Sequence, residues 1–399
     1  MSKGVAITGM GIISSIGNTV EENFQSLIDK NAGISKISKI DTIHKDEIKV
    51  GEISFTNDEM VQILNLPESN NYSRTALLAE IAVKEAVNNA KITDINKYKT
   101  GLISATSVGG MDMTERYYYS YKDEVDKRKY IDAHSLGDST LRIASSLGLT
   151  GFTTTISTAC SSATNAIMLG ARMIKSGKLD RVIVGGADCL SKFTINGFKT
   201  LMILSETDCM PFDKNRTGLN LGEAAAYLVL ESDEIAKKEN KKVLGYITGY
   251  ANANDAFHQT ASSEDGEGAT LAMKKALEVA KKSPKEIDYI NAHGTATPNN
   301  DSSESKAIIR IFGKTIPSFS STKGYTGHTL AAAGAIEAVY SILALQNDLI
   351  FPNLNFKTPI EETLLIPETE VINKKIKHVL SNSFGFGGNC SSLIFSKEL

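Results

Sequence analysis

The chain has 399 residues, of which 41% are hydrophobic and 22% charged, and a formal net charge of −3. That balance excludes a basic footprint for nucleic acid or for an anionic membrane surface, and no stretch approaches the roughly 18 to 20 unbroken apolar residues of a membrane span. The length allows two domains or one large duplicated one.

The N-terminal run MSKGVAITGMGIISSIG offers a lysine and then apolar residues. Its glycines and threonine, without an A-x-A-like site behind them, predict a buried strand and turn rather than a signal peptide. Gly9-Met10-Gly11 is not a dinucleotide fingerprint, because Ser14 stands where GxGxxG needs its third glycine. Strands are predicted at GVAITGMG, TGLISATS, TTTISTA, RVIVGGAD and AAAYLVLE, then at KVLGYITGY, IDYINAHG, SFSST, HVLSNSFG and SSLIFSKE. SRTALLAEIAVKEAVNNA and EGATLAMKKALEVAKK carry apolar residues at three-and-four spacing and predict amphipathic helices. The alternation predicts an α/β architecture. ESDEIAKKENKK at 231–242 is the best candidate boundary, separating 1–242 from 243–399, although a solvated helix end explains it as well.

One internal repeat stands out. TTTISTACSSATNAIMLGARMI matches PSFSSTKGYTGHTLAAAGAIEAVYSI in pattern: a β-leaning run, a Ser-Thr pair, a special residue, then a helix rich in small residues. Two similar halves back to back would place Cys160 and Lys323 at equivalent turns.

Those turns carry the candidate chemistry. A thiol attacks as its thiolate, which the N–H groups of a helix N-terminus favour, and Ser161 and Ser162 are predicted to open a helix with Cys160 in its first turn. A lone cysteine is also read as a small buried hydrophobe. His293, in NAHGTATPNND, ends a predicted strand, and His328 follows Lys323 by five residues in STKGYTGHT. His44, His134, His258 and His378 lie in polar surroundings and are predicted at the surface. A cysteine with two histidines at element ends suits a nucleophilic site. SNSFGFGGNC at 381–390 adds backbone able to approach a ligand closely and donate to an oxyanion. The four cysteines, without CxxC pairing, fit neither a disulfide framework nor a zinc site and predict a reducing cytoplasm.

In order along nearly the whole chain, ITGMGIISSIG, SVGGM, STACSSATNAI, PFDKNRTGLNLGEAA, NAHGTATPNND, STKGYTGHTLAAAGAIEA and NSFGFGG resemble the β-ketoacyl-acyl carrier protein synthases, particularly the class II condensing enzymes and their type II polyketide relatives. The resemblance implies a thiolase-like fold, a duplicated five-layer α-β-α-β-α sandwich, and acyltransferase activity without metal or nucleotide cofactor. It implies Cys160 as the acylated nucleophile, His293 and His328 as the decarboxylation and condensation pair, and Lys323 as their electrostatic support. Phe386 is implied as the gating residue whose N–H joins that of Cys160 in an oxyanion hole. Thr295 and Thr297 are implied along the phosphopantetheine arm, Val108 and Phe384 at the substrate, and Glu337 in the buried network. The implied partner is acyl carrier protein, in a cytoplasmic homodimer or a heterodimer with a chain-length-factor homologue.

The chain departs from the family at four places, the first being RTGLNLGEAAA, which is commonly richer in glycine. Met210 stands where an arginine often binds the carrier, leaving Lys127, Arg128 and Lys129 as a candidate basic patch that reads equally as a solvated cluster. YIDAHSLGDST replaces a more apolar stretch that shapes the acyl channel, and Asn389-Cys390 replaces the usual Thr-Asn. These changes point to a specialised condensing enzyme, such as one building an aryl polyene, as much as to fatty acid elongation. A thiolase-like enzyme, with Cys390 as second thiol, and a non-catalytic chain-length subunit are the alternatives.

Overall fold

The computed structural model describes residues 4–399, and the ten stretches expected as strands all form strands of one ten-stranded sheet system. They are β1 (Val5–Ser14), β2 (Thr100–Ala105), β3 (Thr153–Ile156), β4 (Arg181–Asp188) and β5 (Ala224–Ser232), then β6 (Gly245–Asn254), β7 (Tyr289–Asn291), β8 (Ser318–Ser320), β9 (His378–Gly385) and β10 (Asn389–Ser396). The spatial order is β8-β7-β9-β10-β6-β1-β5-β4-β2-β3. β1 meets β6 only through Ala6↔Tyr246 and Ile7↔Gly245, so the system is two five-stranded sheets touching at one corner.

Each sheet has the same topology. In the first, β3 and β4 run parallel to β2, and β5 alone runs against the rest, pairing antiparallel with both β4 and β1; in the second, β8 and β9 flank β7 in parallel, and β10 alone runs against the rest, pairing antiparallel with both β9 and β6. Numbered within its own half, each sheet therefore reads 3-2-4-5-1. This is the duplication that the sequence repeat anticipated, and β3 and β8 are equivalent third strands. β1, β4 and β5 are buried along their full length, as near-continuous apolar runs require when both faces are covered.

Three layers of helix cover them. α1 (Arg74–Asn89) packs on the outer face of the first sheet and α3 (Glu267–Ala280) on that of the second. Between the sheets lie α2 (Ser162–Lys175) and α5 (Ala333–Asn347), each touching strands of both sheets and each other. The result is five layers, α-β-α-β-α, with one hydrophobic cluster between the sheets and one beneath each outer helix. The small residues of the central helices permit this spacing: a Cβ on Gly334 would lie 1.9 Å from Thr164 Oγ1. Leu330–Asn347 is long and apolar enough to cross a membrane, and 89% of it is buried inside the protein. α4 (Pro298–Phe312), a helix the apolar spacing did not reveal, follows β7 and carries acidic residues used by the site.

Candidate active site

The turn that carries Cys160 is built by β3 and α2. Ala159 takes a left-handed conformation, φ 52°. Ser162 Oγ accepts from Thr158 N–H at 2.8 Å and donates to Ala159 O at 2.5 Å, pinning the chain reversal. Ser161 is the N-cap and the helix begins at Ser162. Cys160 therefore precedes the first helical turn, one position further out than the sequence suggested. Its side chain is buried, and burial pushes the thiol up to about 11, against the pull of Lys323 and of the N–H groups of Phe386 and Cys160 itself. The field of the helix terminus does not outweigh desolvation here.

The loop between β9 and β10 comes close to this turn. A Cβ on Gly385 would lie 2.9 Å from Thr158 O and 3.2 Å from Cys160 N, so only glycine lets the two backbones approach this closely. Gly387 and Gly388 take φ 82° and 76°, and Gly387 N–H donates to Gln259 O at 2.7 Å. This geometry turns the Phe386 N–H toward the thiol, where it sits with the N–H of Cys160. The Phe386 ring stacks on Phe198 at 6.0 Å, a partner that lies on the helix Lys192–Thr200 and that the sequence did not single out.

His293 follows β7. Its N–H and that of Gly294 donate to the two carboxylate oxygens of Glu304, at 2.9 and 2.8 Å. Glu304 belongs to α4, and burial pushes its carboxyl up to about 7. Lys323, at the turn after β8, spends its three donors on His293 Nδ1 at 3.2 Å, on His293 O at 2.5 Å and on Glu337 of α5. Because Nδ1 accepts, Nε2 carries the ring proton, and the Phe384 carbonyl interacts favourably with that ring. His328 has the same tautomer for a different reason: its Nδ1 accepts from Leu330 N–H at 3.0 Å. The two rings meet edge to face, 5.4 Å apart. Both imidazoles are held well below the ordinary histidine range, first by burial and then by the charge of Lys323. Both therefore stand as neutral N–H donors.

Cys160, His293 and His328 share one cavity with Thr295, Thr297 and Phe384–Gly388. Thr295 and Thr297 hydroxyls contact each other at 2.9 Å, and the loop carrying them is held by two buried groups. Asp301 accepts from Ala296 N–H at 3.1 Å, while Arg216 donates to Thr297 O and Pro298 O at 3.3 and 2.6 Å. Glu337 contributes through Lys323 and lies behind the cavity rather than on it.

Other expected residues fall elsewhere. Val108 does not line this cavity; it packs in a cluster with Phe198 and Ile203, which do. Asp188 fixes its loop by accepting from Val108 N–H at 3.1 Å and from Ala331 N–H at 2.9 Å. Tyr130–Thr140 does not line the cavity either, and covers the adjoining backbone: a Cβ on Gly110 would lie 2.2 Å from Ala133 O. Lys127 and Arg128 lie over the rings of Tyr117 and Tyr121, at 5.9 and 5.5 Å. Lys129 lies over Tyr130 and donates to Ser69 O at 3.2 Å. Cys390 does line the cavity, with its thiol pushed by burial to about 12. His378, expected at the surface, is half-buried at the start of β9, its Nδ1 2.8 Å from Ser396 Oγ.

Comparisons with known proteins bear on the family and the fold. The sequence matches the β-ketoacyl synthase N-terminal domain over residues 2–236 and the C-terminal domain over 244–357. It is 34% identical to 3-oxoacyl-[acyl-carrier-protein] synthase 2 of Staphylococcus aureus (strain COL), covering 99% of both chains. Among solved structures, the ishigamide ketosynthase/chain length factor superposes with a TM-score of 0.93 at 28% identity, covering all of both chains. A ketosynthase from Xenorhabdus doucetiae, in complex with its chain length factor, gives 0.86 at 32% identity over 99% of this chain and 98% of that one. A duplicated five-layer fold, a cysteine at the turn after the third strand and two N–H-bearing histidines across from it thus coincide with full-length sequence matches, and the chain belongs to the β-ketoacyl synthase family.

Proposed function

We propose that the protein is a β-ketoacyl-acyl carrier protein synthase that lengthens a carrier-bound acyl chain by two carbons through decarboxylative Claisen condensation. The observation that carries this reading is the single cavity holding the Cys160 thiol and two neutral imidazoles, each with its Nδ1 occupied.

In the proposed first step Cys160 attacks the thioester carbonyl of an acyl carrier. The tetrahedral oxyanion accepts from the N–H groups of Cys160 and Phe386, the carrier thiol departs with the cysteine proton, and the acyl group stays on Sγ. Malonyl thioester then enters along Thr295 and Thr297. Its carboxylate leaves as carbon dioxide, and the electron pair is delocalised onto the thioester oxygen. His328 Nε2–H donates to that oxygen, joined by His293 as its N–H turns from the Phe384 carbonyl. These bonds strengthen as charge develops and so lower the barrier. The enolate carbon attacks the acyl thioester, and collapse expels Cys160 and releases the 3-oxoacyl product. No metal or nucleotide enters any step.

The proposed partner is acyl carrier protein, received on a surface that includes Lys127, Arg128 and Lys129. The working assembly is a dimer in a reducing cytoplasm, with a second copy or with a chain-length-factor homologue. The four cysteines, all buried and unpaired, suit that compartment.

The test is intact-mass analysis after incubation with acyl carrier thioesters, followed by malonyl carrier protein. Wild type gains one acyl mass and then yields a product two carbons longer, and Cys160→Ala gains none. A wild-type protein that stays unmodified across saturated, unsaturated and aryl donors sinks the reading. An adduct that survives Cys160→Ala and disappears in Cys390→Ala favours the thiolase-like alternative. The primer that is extended assigns the pathway: saturated chains for fatty acid synthesis, aryl or polyunsaturated ones for a pigment-type polyene.

A further inference from the structure

Asn389, the first residue of β10, does not line the cavity, yet its side chain joins the two sides of the reaction centre. Its Oδ1 accepts from Ser161 Oγ at 2.7 Å, Asn165 Nδ2 at 3.0 Å and Asn252 Nδ2 at 2.6 Å. Asn165 also donates to Thr158 Oγ1 at 2.9 Å and accepts from Ser391 Oγ at 2.8 Å. The result is a knot of amides and hydroxyls beside the apolar packing of the central layer. Such networks hold their members rigidly only while each donor keeps an acceptor.

The placement gives the knot a purpose. Ser161 adjoins Cys160, and Asn165 lies one helical turn further along α2. On the other side, Asn389 pairs in register with Gly385, the residue before Phe386. The two N–H groups beside the thiol thus come from different halves of the fold, and Asn389 Oδ1 is a side-chain acceptor bound to the turn of one half while its own backbone anchors the loop of the other. We propose that Asn389 is a positioning residue that fixes the spacing between the Cys160 and Phe386 N–H groups, and through it the stabilisation of the oxyanion during acyl transfer. This rests on the reading of Cys160 as the acyl acceptor.

Two reactions at the same thiol separate this role from a merely structural one. Attack on an acyl carrier thioester generates an oxyanion, whereas alkylation by iodoacetamide displaces iodide and generates none. In full-length Asn389→Ala, acyl transfer is expected to fall about 10-fold or more beyond any fall in alkylation; the same two N–H groups help set the thiolate population, a change that both reactions share and that their ratio removes. Asn389→Asp keeps acceptor oxygens for all three donors. Its ratio of acyl transfer to alkylation, in which any effect of the added charge on the thiol cancels, should return to within about threefold of wild type.

An equal fall of both reactions in Asn389→Ala would mean that the turn itself has collapsed and would overturn the proposal. So would unchanged acyl transfer, or an aspartate variant no better than alanine. A wild-type protein that takes no acyl group overturns the functional reading together with this one; an acylating wild type matched by Asn389→Ala overturns this one alone.

Discussion

Lys323 is buried with Glu337, and each holds the other's charge in a place where neither could be left alone. Deleting one member of such a pair costs about 3–5 kcal/mol, whereas replacing both by apolar groups is often neutral. Lys323→Met should therefore lower denaturant stability by roughly that amount, while the Lys323→Met/Glu337→Leu double variant recovers most of it. Condensation should remain lost in both, because His293 Nδ1 no longer has a donor; a double variant that condenses normally would show the lysine to be structural. The thiol makes a second prediction. With Cys160 pushed up to about 11, its thiolate fraction should climb about tenfold per pH unit from about pH 7 to about pH 9, with no plateau near the free-cysteine value of about 8.5. The sign for stability is the opposite. Above its unfolded pKa the free chain ionises this thiol and the folded chain does not, so the contribution is present below that point and is lost as pH rises toward 11. Iodoacetamide alkylation against pH measures the first effect directly. These residues were legible because Cys160, His293, Lys323 and His328 lie in short unusual strings. Glu304 and Phe198 were not, Glu304 because it lies on a helix that was itself unread; Asn389 stood out as a departure from the family, but nothing in the string around it says that residues 161, 165 and 252 will meet it.

At the scale of elements, the distance between α2 and α5 is the feature most exposed to mutation. A methyl group on Gly334 would collide with Thr164 Oγ1, a hydroxyl that has no hydrogen-bond partner. Gly334→Ala would gain about 1 kcal/mol of helix propensity on an isolated helix, but overpacking here should cost about 1–3 kcal/mol or more. The net is a loss, readable by thermal denaturation. Thr164→Ala in the same chain should return part of it, since it removes the colliding atom and strands no partner. An unchanged melting temperature in Gly334→Ala would mean that the central layer can spread, and the close-packed account would fail. All ten strands of the main sheet system were readable because short apolar or β-branched runs bounded by turn residues are their signature. α4 was not, because its first half, PNNDSSE, presents side chains to loops rather than an apolar stripe to a sheet.

The whole molecule repeats one five-stranded plan twice, and the segment 231–242 carries the chain from β5 through the short helix Asp233–Lys238 toward β6. We take 1–242 and 243–399 as its two halves, which are not independent folding units, because α2 and α5 each pack on both sheets. Calorimetry of the intact protein should show one cooperative transition, and a separately produced 1–242 fragment should bind a dye for exposed apolar surface. Two well-separated transitions would instead mean that each half closes its own core. The duplication was visible in the repeat around Cys160 and Lys323, where the two turns share one local pattern. The corner contact between β1 and β6 was not, since two backbone pairings leave no trace in composition.

The amide hydrogens facing Sγ belong to opposite copies of that plan, so slippage between the sheets by a fraction of an ångström would detune them while every strand stayed intact. Turnover should then fade on warming ahead of melting, with the shear stiffness of the inner helices, rather than the unfolding temperature, setting the upper limit at which the protein works.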